Sequence, residues 1–119
     1  MFRKLFRPKP AVSIPQVHPH EVASALQNGR APLIVDVRSP AEWAQDGHIA
    51  GALLIPLPEL SQRAYEIPRD RPVVMVCRSG RRSQAACEAL ARAGYDNVQN
   101  LAGGMIAWKR AGLPTEYGM

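Results

Sequence analysis

The sequence predicts an α/β protein built on a parallel sheet with helices on both faces. Two observations carry this. Short apolar runs alternate with helix-like segments along the whole chain. Those runs are also continuous rather than alternately polar, the pattern of strands buried on both sides. A chain of 119 residues has room for one domain and one core. With 46% hydrophobic and 21% charged residues, the composition is that of an ordinary globular protein. Residues 1–13 read as a flexible basic arm and residues 14–119 as a single domain.

Pro19 stands where a helix can open and Gly29 closes it, giving a first helix over His20 to Asn28. Leu33-Ile34-Val35-Asp36-Val37, between Pro32 and Ser39-Pro40, is a buried strand. Ser39 caps the next helix, with Pro40 at its first position and Glu42 at the capping-box spacing, and Gly47 ends it. Ala52 to Ile55 is a short strand closed by Pro56, and Pro58 to Tyr65 is helical. Val73-Val74-Met75-Val76 is the clearest strand. From Arg81 to Ala93, Arg81, Gln84, Glu88 and Arg92 form a polar stripe, while Ser83, Cys87 and Leu90 share another face, so Cys87 points inward. Asn97 to Leu101 is the last strand, Gly103-Gly104 a turn, and Met105 to Ala111 a helix stopped by Gly112 and Pro114.

The net charge of +5 is concentrated at one end. Arg3, Lys4, Arg7 and Lys9 lie in the first ten residues with no acid, and the eleven basic residues that remain face all ten acids. A nucleic-acid binder spreads a basic face with aromatics over its fold, and this chain does not. The segment Met1–Pro10 has no apolar core or cleavage site of a secretory signal. Contact of this arm with an anionic membrane surface is the minor reading, because Pro8 and Pro10 cut it short. No apolar stretch reaches the roughly eighteen residues of a membrane span. His18 and His20 lack the partners of a metal site, and no cofactor is expected.

Two cysteines do not make a disulfide framework. About 9 Å of helical rise separates the helix start from Cys87, whereas disulfide Cα atoms lie within about 7 Å. Reduced cysteines suit a cytoplasmic setting.

Cys77 ends the Val73–Val76 strand and opens the loop Cys77-Arg78-Ser79-Gly80-Arg81-Arg82-Ser83, which runs into a helix. In open α/β sheets ligands bind beyond the carboxyl ends of strands, where both Cys77 and Asp36 lie. A free cysteine with pKa near 8.5 is only about 3% thiolate at pH 7. Lowering it by two units requires about 2.7 kcal/mol, and a helix N-terminus supplies about 0.3–1 kcal/mol. The loop amides and the arginines are therefore expected to supply the rest, with Gly80 allowing the tight curl. The same cradle binds an oxyanion, so sulfur transfer, phosphoester hydrolysis and arsenate reduction are the candidate chemistries. Phosphatases of the C-x5-R pattern place an arginine six residues after the nucleophile; here that position is Ser83, and Arg82 comes one earlier. The shorter loop favours a sulfane sulfur over a full phosphate.

The chain resembles the rhodanese family of sulfurtransferases. Asp36-Val37-Arg38 with Glu42-Trp43 is similar to its D-x-R…E-[FYW] segment, and Gly47-His48-Ile49-Ala50-Gly51-Ala52 to its G-H-I-x-G-A segment. Cys77 to Ser83 resembles the active loop, and Leu101-Ala102-Gly103-Gly104 with Trp108 the closing L-x-G-G…W. These markers run in family order from about Val17 to Pro114. The resemblance implies a three-layer sandwich around a five-stranded parallel sheet. It implies that Cys77 takes the outer sulfur of thiosulfate or a similar donor as a persulfide and passes it to a thiol or cyanide, in two half-reactions. A protein-to-protein persulfide carrier, with an acceptor protein as partner, is the alternative.

Within this reading Cys77 is the nucleophile, and Arg78, Ser79, Gly80, Arg81 and Arg82 form the substrate site. Arg78 and Arg81 are assigned to the donor's sulfonate, while Arg82 either joins them or braces the loop. Ser79 is a candidate hydrogen-bond donor to the persulfide. Asp36, Arg38 and Ser83 are supporting residues, Asp36 either steering the loop by hydrogen bonding or, the favoured reading, pairing with Arg38 or a backbone N–H. Arg38 and Glu42, four apart across a helix start, are expected to form an ion pair. His48, Trp43 and Trp108 are expected to be structural.

Overall fold

The computed structural model describes residues 12–29 and 31–119. Most of the basic arm inferred from the sequence lies outside the described residues. The described residues form five strands and five α-helices in the order β1 (Gln16–Val17), α1 (Pro19–Leu26), β2 (Leu33–Asp36), α2 (Pro40–Asp46), β3 (Leu53–Leu54), α3 (Leu60–Arg63), β4 (Val73–Val76), α4 (Arg81–Arg92), β5 (Val98–Leu101) and α5 (Gly104–Arg110). The strands make one sheet in the order β1-β5-β4-β2-β3, and every pairing is parallel.

The continuous apolar runs have the expected meaning. Successive residues of β2 and β4 point to opposite faces, so every one must be apolar or paired. Val35, Val73, Met75 and Cys77 join Ile55, Leu60, Ala86, Cys87 and Leu90 on one face, beneath α3 and α4. Ile34, Val74 and Val76 join Val22, Met105 and Trp108 on the other, beneath α1 and α5. Cys87 is fully buried at the base of the first face, and both cysteines are free thiols.

Most elements agree with the sequence expectation to within a residue or two at either end, β3 being shortened to Leu53–Leu54, and three differ in ways that have a physical reason. β1 has only two residues and no apolar run, so nothing local marks it; it is a strand because Gln16 and Val17 pair with Asn100 and Leu101 of β5. The helix expected over Pro58 to Tyr65 is one turn of α-helix between two 3₁₀ turns, Leu57–Glu59 and Ala64–Glu66. Only Leu60 of that segment is buried, too little apolar surface to hold a regular helix. α1 starts earlier than expected, at Pro19, where the missing N–H is harmless, and it stops at Leu26.

His48 and both tryptophans are held as structural groups. The His48 ring stacks on Trp43 with centroids 3.7 Å apart, and its Nδ1 lies 2.9 Å from the Trp43 carbonyl. Trp108 Nε1 donates to the Pro114 carbonyl at 2.8 Å. No helix of the described residues is long and apolar enough to cross a membrane.

Met75 is fully buried at the centre of the sheet. Met75→Ala is expected to lower the free energy of unfolding by about 2–5 kcal/mol, measured by urea denaturation, without moving the reactivity of Cys77 by a comparable factor.

Candidate active site

The site lies where the central strand β4 ends, beside the end of β2 and under the N-termini of α4 and α5. Cys77 is the residue after β4, and its own carbonyl accepts from Met105 N at 2.9 Å. The Arg78 carbonyl accepts from Ile106 N at 3.1 Å. These are two of the orphan amides that a helix start leaves without internal partners. With its carbonyls drawn towards α5, the loop turns its own N–H groups towards the cysteine sulfur. Gly80 N donates to Cys77 Sγ at 3.1 Å, and Gly80 is the N-cap of α4 with φ of 97°.

The close approach of α5 depends on Gly104. Its φ is 57°, and a Cβ there would stand 2.5 Å from the carbonyl oxygens of both Cys77 and Arg78. The pair Gly103-Gly104 is therefore part of the site, not only a turn.

Cys77 is 1% exposed. Burial pushes its pKa up, but hydrogen bonds outweigh it: those of the Ser83 hydroxyl and of the Ser83, Gly80 and Ser79 amides bring the thiol below its ordinary value. The Ser83 hydroxyl lies 3.3 Å from Sγ. The arginines, expected to share this work, are not among its main causes. Arg78 and Arg81 are exposed, and Arg82 is turned to Glu42, its attraction to Cys77 coming behind that pair. Cys87 shows the opposite environment: burial, with Glu88 nearby, pushes its thiol up to about 12.

Asp36 and Arg38 are each 1% exposed and pair two residues apart. Arg38 Nε and Nη2 donate to the Asp36 carboxylate at 3.0 and 2.8 Å, Arg38 N donates to Oδ1 at 3.0 Å, and Nη2 reaches the Gly47 carbonyl at 2.9 Å. The expected Arg38–Glu42 pair is not formed. Arg38 turns inward, because the buried carboxylate at the end of β2 needs a partner. Glu42 instead accepts from Arg82 Nη1 and Nη2 at 2.8 and 2.7 Å, and its Oε1 also accepts from Ser39 N at 3.2 Å in the capping box of α2. The carboxyl of Glu42 is held down to about 2, chiefly by Arg82. Both terminal nitrogens of Arg82 are thus engaged in joining α2 to the first turn of α4. Among the described residues Arg78 and Arg81 carry no ion pair.

Arg78 lines an opening with Arg38, Asp46, Met105, Ile106 and Lys109. Arg81 lines another with Ser79, Gly80, Gln84, Asn100 and Gly103. Ser79 borders a third, with His18, Ile106, Ala107 and Arg110. The expected site residues are therefore gathered around one loop, Asp36 and Arg38 forming a buried brace beside it. Three residues escaped the sequence reading. Gly104 was legible as half of a glycine pair, and Asn100 as an amide beside Leu101 near the end of the last strand, but Gln16 carried no signal. Asn100 Nδ2 donates to the Gln16 side-chain oxygen at 2.9 Å and to the Gly80 carbonyl at 3.1 Å.

Comparison with known proteins agrees with this geometry. Residues 18–111 match the family described as Rhodanese-like domain, and the chain belongs to that family. It is 46% identical over 99 residues to a sulfurtransferase of Allochromatium vinosum, covering 83% of this chain and 92% of the relative. It is 32% identical over 94 residues to the thiosulfate sulfurtransferase GlpE of Vibrio cholerae, covering 79% and 88%. The crystal structure of a rhodanese-related protein from Thermoplasma volcanium superposes with a TM-score of 0.78 at 29% identity, covering 86% of this chain and 97% of that one. The fold is therefore the rhodanese-like α/β sandwich.

Two outcomes follow. Gly104→Ala is expected to lower stability by on the order of 1–3 kcal/mol and to raise the pH midpoint of Cys77 alkylation, because the loop must move away from α5. Gly112→Ala, also at positive φ but with nothing within 4 Å of its Cβ, leaves that midpoint unchanged. The second outcome concerns Glu42, whose folded pKa is depressed from 4.5 to about 2. Its contribution to stability is complete above the unfolded value and is lost as pH falls through the folded one. The stability deficit of Glu42→Gln, followed by urea titration, should be largest above pH 4.5 and shrink towards pH 2.

Proposed function

We propose that this protein is a sulfurtransferase that carries a sulfane sulfur on Cys77. The observation that carries the reading is the hydrogen-bonded cradle around one thiol: Gly80 N at 3.1 Å and Ser83 Oγ at 3.3 Å from Sγ, at the end of a buried strand. A thiolate held this way is a nucleophile. It attacks the outer sulfur of thiosulfate or a similar donor. The S–S bond of the donor breaks, sulfite leaves with the electron pair, and Cys77 is left as a persulfide. Cyanide or a thiol then takes the outer sulfur and returns the thiolate, so the two substrates react in turn.

The nearly complete burial of Cys77 supports a donor that inserts a single atom. Arg78 and Arg81, free of ion pairs at the mouth, bind the sulfonate. Ser79 and Gly80 line the path, and Arg82 holds the loop against α2 rather than the substrate. Ser83 stands six residues after Cys77, where a C-x5-R phosphatase has its arginine, which supports sulfur transfer over phosphate chemistry. The reduced thiols favour a cytoplasmic setting.

A second reading, a relay to a protein thiol, is favoured by the charge around the mouth. Arg78, Lys109 and Arg110 line openings that share Ile106, and Asp46 is the one acid among the residues lining them. An acidic acceptor surface fits there. If the relay is the main role, Lys109→Glu with Arg110→Glu slows sulfur loss to acidic thiol proteins and leaves loss to cyanide unchanged.

Mass spectrometry of the intact protein tests the principal reading. After thiosulfate the mass should rise by one sulfur atom, return on adding cyanide, and stay constant in Cys77→Ser. Absence of the adduct together with turnover of an aryl phosphate would overturn the proposal.

A further inference from the structure

The Ser83 hydroxyl faces two acceptors and has one hydrogen. Cys77 Sγ lies 3.3 Å from Oγ and Asn100 Oδ1 lies 2.6 Å from it. Ser83 is fully buried and Asn100 is 3% exposed, so water does not supply a second donor as it does at a surface. The orientation of the Asn100 amide is set by its other side. Nδ2 faces the Gly80 carbonyl, which can only accept. It also faces Oε1 of Gln16, whose own Nε2 is directed by the carbonyl of Ile14 at 3.2 Å and by Gln84 Oε1 at 2.7 Å. The atom turned to Ser83 is therefore an oxygen that can only accept. While Cys77 is a thiol, the 2.6 Å separation places the Ser83 hydrogen between the two oxygens.

We infer that Asn100 is a positioning residue that acts on Cys77 through Ser83, by competing with the sulfur for the single hydroxyl hydrogen. With Cys77 as a thiol, the hydrogen stays on the Asn100 side, and Oγ can accept from S–H. With Cys77 as a thiolate, the hydroxyl can turn to the sulfur, but this leaves two oxygen acceptors facing each other at close range. Asn100 thus limits how much the thiolate is stabilised and keeps it from becoming a weak nucleophile. When Cys77 carries a second sulfur, its Sγ is no longer the anionic atom and the hydrogen returns to Asn100. The O–H bond rotates and never breaks, so no proton is transferred. This last part rests on the sulfur-transfer reading, whereas the competition over the free thiol does not.

Charged and titratable groups stand on most of the neighbouring elements. β2 ends in the mutually paired Asp36 and Arg38, and α2 brings Asp46 and Glu42, the latter paired with Arg82 of α4. α4 also brings the exposed Arg81, and Glu88, which accepts from Gln84 at 3.0 Å, while His18 and His20 at the start of α1 border the opening beside Ser79. Arg78 lies in the loop itself, α5 carries Lys109 and Arg110 on exposed positions, and β5 has no titratable residue. No ion pair among these groups includes Ser83 or Asn100.

The test is the pH profile of Cys77 alkylation by iodoacetamide, located by peptide mass, in the full chain. Ser83→Ala should raise the midpoint by about one unit, the scale of one hydrogen bond to an anion. Asn100→Ala should lower it, also by up to about one unit. Asn100→Leu, of similar size and equally without the carbonyl, should lower it too, which separates the effect from a cavity. The decisive comparison is the double variant: with Ser83→Ala already present, Asn100→Ala should no longer move the midpoint. A rise in Asn100→Ala, or an equal shift with and without Ser83, would mean that Asn100 acts by holding the loop through Gly80, and would overturn the inference. Cooperative urea unfolding of each variant establishes that it is folded. For the sulfur-loaded form, the fraction of Asn100→Ala carrying the extra sulfur at a fixed ratio of thiosulfate to sulfite should fall below that of the unaltered protein. An unchanged fraction beside a lowered midpoint would overturn that part alone, and absence of any adduct would count against the sulfur-transfer reading instead.

Discussion

The site depends on one seam, the contact of the Cys77 and Arg78 carbonyls with the first amides of α5. A loop leaving a strand has carbonyls and N–H groups to satisfy on opposite sides. Because α5 takes the carbonyls, the N–H groups are left to converge on the sulfur. The seam can close only because Gly104 has no side chain where its Cβ would strike both carbonyl oxygens. Two helices thus act on one loop in different ways: α4 donates towards the sulfur, and α5 draws the opposite side of the backbone away from it.

Around this seam, charge is used mainly for bracing. Asp36 and Arg38 close the end of β2 as a buried pair, and Glu42 ties the start of α2 to the start of α4 through Arg82. Neutral groups do most of the work on the thiol, through backbone amides and one hydroxyl. This division has a physical reason. Amides at a fixed distance lower the energy of an anion without adding mobile side chains to a buried site, while the exposed Arg78 and Arg81 are left to meet a charged molecule from outside.

Much of this is legible in the sequence alone. Three apolar runs identified β2, β3 and β4, since strands buried on both faces leave no polar alternation. Ser39-Pro40 with Glu42 placed the start of α2, because a capping box is local chemistry. Cys77 was legible as the reactive thiol from its place between a strand and a helix start. What local patterns missed shares a cause. β1 is a strand only by virtue of β5, Glu42 chose Arg82 forty residues away over its neighbour Arg38, and Gln16 reaches Asn100 across eighty-four positions.

The sequence by itself determined the layered α/β architecture, the thiol at the end of β4 and the glycines that let the loop curl, because periodicity, capping and backbone freedom are properties of neighbouring residues. Tertiary structure alone decided which groups surround that thiol. Ser83, Asn100, Gly104 and the amides of α5 come together only when β4 and β5 pair and the two helices pack against opposite faces of the sheet. The source of the thiolate's stabilisation moved accordingly, from nearby arginines to converging amides and one shared hydroxyl hydrogen. Direction and distance decide such bonds, and the folded backbone sets both.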